Sequence, residues 1–359
     1  MRSGADKPSG RGSASNPTGR YERVTRVPEV SEAEDLQPPA TTIVTPERPR
    51  TIIARNDSPD VPFDRSLNPY KGCEHGCIYC FARPTHAWLG LSPGLDFETR
   101  IFSKPEAPTL LRNALSRPGY RPDVIALGAN TDPYQPVEKR LGITRAVLEV
   151  LAEFEHPVSI VTKSALVERD FDILAPMAAK RLAHVFVSIT TLDPELARRM
   201  EPRAAAPARR LATVRALASA GVPVGVLASP MIPALNDVEL ERILEAATEA
   251  GASSTGYILL RLPLEVKELF TEWLETHYPM RAKHVLSLVR NTRGGELYEP
   301  EFGRRMTGSG AYADLLEKRF ELARIRLGLE TRAPELDLTR FRVPSRSAQL
   351  PLFADDASR

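Results

Sequence analysis

Residues 73–80 read Cys73-Glu-His-Gly-Cys77-Ile-Tyr-Cys80, and they contain all three cysteines of this 359-residue chain. A buried cysteine with a purely structural role behaves as a small apolar side chain and could lie anywhere in a core. Three cysteines within eight positions instead indicate thiolates that converge on one metal centre. A completed iron–sulfur cluster normally takes four cysteines. The sequence has no fourth, so a cluster bound here would keep one iron open to another ligand.

A structural zinc site is the alternative interpretation. Zn²⁺ prefers a closed tetrahedron of ligands, which the three cysteines together with His75 or His86 could supply. Zinc loops usually come as two paired clusters, and this sequence has one. The residues alone leave both interpretations open. The zinc interpretation predicts a zinc-stabilised nucleic-acid-binding module without catalytic activity.

Around the cysteines, short runs of β-branched residues alternate with helical periodicity. Strands are predicted near residues 66–70, 123–130, 157–163, 184–190, 221–230 and 254–262. Strands that are apolar on both faces and separated by helices form a parallel sheet covered by helices. About six βα units suit a partial barrel or an open doubly wound sheet, and in both the chemistry gathers at the C-terminal ends of the strands. The cysteine loop follows the first predicted strand and therefore belongs to that edge.

The two ends of the chain show a different pattern. Residues 1–60 are rich in Pro, Ser, Arg and Glu, and such a segment buries too little to offset its ordering entropy. We predict a disordered N-terminal segment over residues 1–60, with a possible short strand at Thr51–Ala54, a catalytic domain over 61–332 and a flexible tail over 333–359. In the tail, Phe341 and Leu352 could dock. The expected fold class is α/β, a partial TIM-type (β/α)6 barrel with parallel strands, flanked by disordered termini.

Composition limits the partners and the location. The net charge is +2, from 48 Lys and Arg against 46 Asp and Glu, which gives no global argument for nucleic acid or an anionic membrane. No apolar run approaches the ~20 residues that span a bilayer. The N-terminus lacks the apolar core of a signal peptide, and the clustered cysteines do not form a disulfide scaffold. We therefore expect a cytoplasmic protein with no membrane association.

The spacing Cys-x-x-x-Cys-x-x-Cys after a first strand, with Tyr79 before the last cysteine, closely resembles the radical S-adenosylmethionine (SAM) superfamily. The resemblance covers about residues 68–312 and is closest to the branch that is spore photoproduct lyase-like, also described as DNA repair photolyase-like. Six segments carry it: Asn68-Pro-Tyr-Lys-Gly-Cys73, Phe81-Ala-Arg-Pro84, Thr131-Asp-Pro-Tyr-Gln-Pro136, Ser188-Ile-Thr-Thr-Leu-Asp193, Glu201-Pro202 and Ser229-Pro-Met-Ile-Pro233.

The resemblance implies a cofactor set and a reaction. It implies that Cys73, Cys77 and Cys80 ligate a 4Fe-4S cluster whose remaining iron chelates the amino and carboxylate groups of SAM. Reductive cleavage then gives methionine and a 5′-deoxyadenosyl radical that abstracts hydrogen, so the cofactors supply the reactive chemistry. The implied partner is a reducing electron donor, flavodoxin- or ferredoxin-like. With this resemblance a radical SAM enzyme is favoured over the zinc module.

The substrate stays unidentified, and a nucleic-acid lesion or modified base is one expectation from the branch. Spore photoproduct lyases use a further cysteine as hydrogen donor, and this sequence has none left once the cluster is assembled. A tyrosine such as Tyr134 could replace that cysteine. We therefore do not expect a true spore photoproduct lyase.

Polar residues at predicted strand ends are the candidates for the cofactor site, together with Tyr79. Asn130, Thr131 and Asp132 follow the second strand and could hydrogen-bond the methionyl ammonium or the substrate, or form an ordinary strand-to-loop turn. Ser188 and Thr190, with Thr191, end the fourth strand. They could reach the ribose hydroxyls or the methionyl carboxylate of SAM, or be satisfied hydroxyls of the core.

Six further residues have two interpretations or an expected structural role. Lys163 ends the third predicted strand, where a cation could meet a carboxylate or phosphate or form a salt bridge. His75 is expected to be a solvent-side loop residue. Asn236 is predicted to cap a helix, with Glu239 as its capping-box partner. Glu98 and Lys104 could not be separated from ordinary surface charge.

A run of arginines follows the fourth strand. It could hold nucleic-acid phosphates, but such a run is more often a solvated helix face, and Glu195 and Glu201 partly neutralise it. The members are Arg198, Arg199, Arg203, Arg209, Arg210 and Arg215.

Overall fold

A computed structural model of the protein describes residues 10–22 and 41–344. Its strands are β1 (Ile43–Pro46), β2 (Ile53–Arg55), β3 (Arg65–Leu67), β4 (Tyr70–Lys71), β5 (Arg100–Ser103), β6 (Ile125–Leu127), β7 (Val158–Thr162), β8 (Ala183–Ser188), β9 (Val224–Met231) and β10 (Ser254–Leu259).

The α-helices mostly follow the strands along the chain. They are α1 (Leu95–Thr99), α2 (Ala107–Leu115), α3 (Glu138–Leu141), α4 (Ile143–Glu153), α5 (Phe171–Ala179), α6 (Pro194–Met200), α7 (Pro207–Ser219), α8 (Leu240–Glu249), α9 (Val266–His277), α10 (Pro279–Asn291) and α11 (Ala311–Leu327). Short 3-10 helices cover Arg83–Leu89, Ala165–Asp170, Asp237–Glu239 and Leu338–Arg340. Within the described ranges, none of the helices has both the length and the apolar character that crossing a membrane requires.

The main sheet is a partial barrel. Its strand order is β10-β9-β8-β7-β6-β3-β2. The six strands β3 and β6 to β10 run parallel in chain order, and β2 is antiparallel at the edge. A doubly wound sheet would reverse its order at a switch point, so the sequential order selects the barrel and confirms the expected fold class. The edge strands of this sheet, β2 and β10, do not pair with each other, and the barrel is open between them.

All six predicted parallel strands are present, and their ends are shorter than predicted in places. The second strand, predicted over 123–130, covers only Ile125–Leu127. Gly128 ends it with a φ of +92°, and a Cβ there would lie 2.2 Å from the carbonyl oxygen of Val161. Inside the sheet Val158, Ile160 and Val226 are fully buried, as parallel strands covered on both faces require.

A second, three-stranded sheet lies beside the cysteine loop, in the order β1-β5-β4. Strand β1 is parallel to β5, and β4 is antiparallel to it. Strand β4 ends at Lys71, two residues before Cys73. The small sheet therefore fixes the start of the loop that carries the three cysteines.

The prediction of disorder over residues 1–60 is wrong for the part that the structure describes. Residues 10–22 pack against the protein, with Arg11, Gly12 and Ser13 buried. Strands β1 and β2 both precede residue 60, and β2 overlaps the short strand predicted near Thr51–Ala54. These segments are held by backbone and charged groups, so they leave no apolar periodicity to read. Residues 1–9 and 23–40 lie outside the described residues.

The first part of the C-terminal tail docks on the barrel. The Phe341 ring lies 5.3 Å from the Tyr120 ring and 5.6 Å from the His156 ring, centroid to centroid. The predicted flexibility is therefore wrong for the tail up to residue 344. Leu352, the other residue expected to dock, lies outside the described residues.

We expect Gly225→Ala in β9 to destabilise the fold by about 1–3 kcal/mol, because an overpacked core costs that much. The added Cβ would lie 2.3 Å from the Phe186 ring and 2.5 Å from the Ser254 hydroxyl. The matched control is Gly256→Ala in β10, where the nearest atom is the Leu227 Cδ2 at 3.2 Å. Urea unfolding measures both variants, and equal midpoints would contradict the packing that we describe.

Candidate metal centre and cofactor site

The three cysteines lie on one loop at the C-terminal edge of the barrel. Cys73 and Cys77 are buried, Cys80 is half-buried, and all three are free thiols. Burial raises the pKa of all three thiols, for Cys73 and Cys77 well above the usual range. A positive partner is therefore needed to hold them as thiolates, and a metal centre supplies one.

Arg83, in the segment Phe81–Pro84, binds the backbone of this loop. Its Nε donates to the Cys77 carbonyl at 2.8 Å and its Nη2 to the Gly76 carbonyl at 3.1 Å. The same guanidinium forms an ion pair with Glu98, and both side chains are fully buried. Gly76 has a φ of +68°, and a Cβ there would lie 2.6 Å from the Glu98 carboxylate. Only glycine fits between this loop and that carboxylate.

Glu98 also binds the N-terminal segment. We call residues 10–22 the strap. The Glu98 carboxylate accepts hydrogen bonds from the backbone N–H groups of Gly12 and Ser13, each at 2.9 Å. A Cβ on Gly12 would lie 1.7 Å from the Gly76 carbonyl oxygen. The strap therefore lies directly on the cysteine loop, and Glu98 is no surface charge.

His75 and Asp132 form a buried pair next to Cys73. His75 Nδ1 lies 3.3 Å from Asp132 Oδ2, so the expected solvent-side position of His75 is wrong. Asp132 also accepts hydrogen bonds from the Thr162 hydroxyl and the Lys163 N–H, both at 2.8 Å. Burial alone would raise the pKa of Asp132, but His75 and these hydrogen bonds lower it below its usual value. Asp132 thus ties the loop after β6 to the end of β7.

Asn130 and Thr131 occupy the same turn. The Thr131 hydroxyl donates to the Tyr70 carbonyl at 3.1 Å, and the backbone N–H of Asn130 donates to Asn68 Oδ1 at 3.1 Å. The Asn130 side chain is half-buried. Thr131 and Asp132 therefore shape the turn, while Asn130 has a side chain available at this edge.

A buried carboxylate, Glu201, joins several of the predicted residues. Its Oε1 accepts hydrogen bonds from the Tyr79 hydroxyl and, at 2.6 Å, from the Thr190 hydroxyl. Its Oε2 pairs with Arg210, which is itself buried and donates to the Ser188 carbonyl at 3.0 Å. Burial raises the pKa of Glu201, and Arg210 opposes that rise. The structure thus brings Tyr79, Ser188 and Thr190 together around one carboxylate.

Lys163 is the cation of this group. Its Nζ lies 3.7 Å from Glu201 Oε1 and 5.9 Å from the centre of the Tyr79 ring. Burial lowers the pKa of Lys163, and the nearby Cys77 acts in the opposite direction. The predicted salt bridge is present, and the ammonium lies at the end of β7 where the cysteine loop begins to cover the sheet.

The predicted capping box at Asn236 and Glu239 is not formed. The Asn236 side chain donates to the carbonyls of Thr190 at 2.6 Å and Pro230 at 2.9 Å. Glu239 accepts a hydrogen bond from the Thr191 hydroxyl. Both side chains join the end of β8 to the loop after β9, because tertiary contacts satisfy them better than the local cap does.

Tyr134 and Lys104 both form hydrogen bonds within the protein. Tyr134 is fully buried, and its hydroxyl donates to Asp170 at 3.1 Å. Lys104 donates to the Asn68 carbonyl at 2.8 Å.

Most of the arginine run is neutralised by carboxylates. Arg199 pairs with Glu195, Arg209 with Glu168 at 2.6 Å, Arg210 with Glu201 and Arg203 with Glu74 at 3.2 Å. The interpretation as a phosphate-binding patch therefore loses its support.

Sequence reasoning did not assign Glu201, Arg83 or Glu98 to the site. A signal existed for two of them, since Glu201-Pro202 and Phe81-Ala-Arg-Pro84 are among the segments that carry the family resemblance. Glu98 stands in no such segment. Its role depends on residues 12 and 13, which no local pattern connects to it.

Residues 67–247 match the family model of the radical SAM superfamily, and the chain belongs to this superfamily. The protein is thus a radical SAM enzyme. The family implies SAM and an iron–sulfur cluster as cofactors.

The relatives include an uncharacterised protein of Mycobacterium tuberculosis, 37% identical over 232 residues, which are 64% of this chain and 68% of that protein. An uncharacterised protein of Methanocaldococcus jannaschii is 27% identical over 213 residues, 59% of this chain and 76% of its own. Among solved structures, spore photoproduct lyase in complex with a dinucleoside spore photoproduct has a TM-score of 0.57 at 16% identity, covering 80% of this chain and 81% of that one. At that identity the likeness shows the fold.

We expect Gly12→Ala to release the strap from the cysteine loop. The new methyl group would overlap the Gly76 carbonyl, and overpacking costs about 1–3 kcal/mol, so amide exchange within residues 10–22 should become about 5- to 150-fold faster. Hydrogen exchange followed by mass spectrometry measures this. Ala14→Ser adds one atom at a half-buried position of the same segment and serves as the control. Unchanged exchange in Gly12→Ala would contradict the contact.

Proposed function

We propose that this enzyme reductively cleaves SAM at a 4Fe-4S cluster held by Cys73, Cys77 and Cys80. The observation that carries the proposal is the set of three free thiols on one loop at the C-terminal edge of the barrel, in a sequence with no fourth cysteine. In the described residues no three Cys, His, Asp or Glu side chains converge tightly enough for a single metal ion. The proposal is for a multinuclear cluster, whose metal atoms lie at separate corners.

When bound, the cluster supplies the electron that cleaves SAM to methionine and the 5′-deoxyadenosyl radical. The residues of the chain would bind and orient the cofactors and shield them from water. The strap and the Arg83–Glu98 pair keep water away from the backbone of the cysteine loop. Exclusion of water protects a reactive intermediate from side reactions.

Lys163, Asn130, Ser188, Thr190 and Tyr79 are the proposed contacts to SAM. Lys163 is a cation at the loop that would hold the cluster, and the methionyl carboxylate of SAM is the anion that this position suits. The half-buried Asn130 side chain and the Ser188 hydroxyl offer neutral hydrogen-bonding groups. Tyr79 and Thr190 are already bonded to Glu201, so they would act with their orientation fixed. Thr131 and Asp132, also predicted as cofactor contacts, would support the site by holding its turn.

The substrate that we propose is a nucleic-acid lesion or modified base. Its support from known proteins is the fold shared with spore photoproduct lyase, whose solved structures include a complex with a dinucleoside spore photoproduct. A reducing protein, flavodoxin- or ferredoxin-like, is the proposed electron donor. The proposed catalytic domain covers residues 61–332, with the strap as an addition to it. A cytoplasmic location stays a prediction.

The zinc-stabilised module without catalytic activity is not supported, since the chain belongs to a family of enzymes. Elemental analysis of protein purified without oxygen separates the two interpretations. The cluster predicts iron and sulfide, whereas the module predicts zinc and metal-dependent folding.

Anaerobic reconstitution should give about four iron and four sulfide per chain and dithionite-dependent 5′-deoxyadenosine from SAM. Cys77→Ala should abolish the visible absorption of the cluster and SAM cleavage together, while circular dichroism stays unchanged. Tyr134→Phe is the control, because Tyr134 lies in the core and bonds Asp170, and it should retain cleavage. Reconstituted protein that never cleaves SAM would count against the proposal.

Lys163→Met should weaken SAM binding about tenfold or more, since a hydrogen bond to a charged group contributes about 1.5–3 kcal/mol. Equilibrium binding of SAM to the reconstituted protein measures this, with the iron content expected to stay constant. Lys139→Met, at an exposed position on α3, is the matched control. Equal affinities in the two variants would remove Lys163 from the proposed SAM site.

A further inference from the structure

Four aromatic side chains are exposed in the described part of the chain. Their exposed fractions are 49% for Tyr21, 47% for Phe81, 71% for Trp88 and 53% for Phe302. We call these four the aromatic stripe. A contiguous exposed apolar patch marks an interaction site, whereas single exposed apolar residues are ordinary, and Phe81 directly follows Cys80. Contacts between their neighbours place all four on one surface beside the cysteine loop.

The first half of the stripe connects the strap to the loop after β10. The Tyr21 and Trp88 rings lie 4.6 Å apart, centroid to centroid. Arg20, next to Tyr21, bonds Glu265 at 2.5 Å, four residues after Arg261. The Arg20 guanidinium also lies over the Tyr21 ring at 5.4 Å. Tyr21 and Trp88 are therefore on the side of the barrel where β10 ends.

The second half crosses the open edge of the barrel. The Arg261 guanidinium lies 5.3 Å above the Phe81 ring. Its Nη1 donates to the Met306 sulfur at 3.3 Å. The neighbouring Arg305 lies 4.5 Å over the Phe302 ring. Three of the four rings thus carry an arginine on one face.

The loop that carries Phe302 is fixed to the barrel. Arg293, which is buried, donates to the carbonyls of Leu259 at 3.0 Å and Leu260 at 2.8 Å. It also donates to the carbonyls of Arg304 and Arg305 at 2.9 and 3.0 Å. One guanidinium therefore joins the end of β10 to the Phe302 loop, so the stripe is a preformed surface.

Arg261 supplies positive charge in the middle of the stripe, where it also acts electrostatically on Asp60. Arg305 is paired with Asp60, and Arg20 is paired with Glu265. No carboxylate of the described residues forms an ion pair with Arg261, and its Nε is buried without a hydrogen-bond partner. The cation beside Phe81, one residue from a proposed cluster ligand, is therefore ready to bind an anion.

We propose that the aromatic stripe and Arg261 bind a single-stranded nucleic acid and lead it to the cysteine loop. Proteins that bind single strands stack successive bases on aromatic side chains and bind the phosphates with basic residues. A duplex hides the faces of its bases, whereas a single strand exposes them. The substrate of the proposed reaction would therefore be single-stranded and would reach the cysteine loop along this surface. This role in catalysis rests on the proposed function. The aromatic stripe replaces the arginine run as the nucleic-acid surface.

The test is fluorescence anisotropy of labelled 12-mers of oligodeoxythymidine and oligouridine with the reconstituted full chain. Trp88→Ala and Phe302→Ala should each weaken binding at least about fivefold. Stacking of one base on an aromatic ring contributes about 1–3 kcal/mol, and about 1 kcal/mol corresponds to this factor. Leu322→Ala, with the same 71% exposure as Trp88 but on α11, should have no effect. Arg261→Gln should lower the slope of log K against log salt by about 0.7, and Arg140→Gln should not change it.

Binding of either 12-mer with these variant effects supports the inference. A preference for one of the two shows whether the surface favours the deoxyribose or the ribose strand. Equal binding of an abasic 12-mer, tighter binding of a duplex or unchanged binding by Trp88→Ala and Phe302→Ala would overturn it. Trp88→Phe separates stacking from folding, because it keeps the ring and should keep the affinity. Formation of 5′-deoxyadenosine without oligonucleotide is measured on the same preparation. Cleavage without binding would leave the proposed function standing and remove only this inference.

Discussion

The fully buried ion pair of Arg83 and Glu98 is the interaction on which the cysteine loop depends. Arg83 satisfies the carbonyls of Gly76 and Cys77, and Glu98 satisfies the backbone of the strap. Removing one partner from such a pair leaves an uncompensated buried charge, which costs about 3–5 kcal/mol. Both charges are therefore kept because each also binds backbone groups that would otherwise be buried without a partner. The shape of the loop and the position of residues 10–22 follow from one carboxylate.

The charged groups near the thiols are also paired. Three thiolates in a buried loop repel one another, and burial disfavours each of them. Lys163 lies on the thiol side of Glu201 and Arg210 on the other side, so the carboxylate has a cation at each oxygen. This arrangement holds a positive charge close to the loop without leaving Lys163 unpaired before a cofactor binds. An anionic group of SAM would then compete with Glu201 for the same ammonium.

The sequence was sufficient for the barrel and for the place of the three cysteines on one loop after the first parallel strand, and it failed where contacts link distant segments. Strands β6 and β9 are buried on both faces along most of their length, and the apolar runs that predict them are local. The roles of Glu98, His75 and Asn236 depend on residues from other segments, such as the strap for Glu98 and Asp132 for His75. Asn236 illustrates the competition, since its local capping signal is real but the carbonyls of Thr190 and Pro230 bind its amide. The strap was missed because hydrogen bonds to backbone leave no hydrophobic period.

The open edge of the barrel explains why an exposed aromatic surface stands beside a shielded loop. A barrel closed between the edge strands β2 and β10 would leave a large substrate no side entrance to the cysteine loop, whereas these two strands do not pair with each other. Arg293 and the Arg305–Asp60 pair hold the Phe302 loop across this edge. The strap covers the cysteine loop at Gly76 and contributes Tyr21 to the stripe. A polymer could therefore reach the site from the edge while the backbone of the loop stays covered, which small substrates would not require.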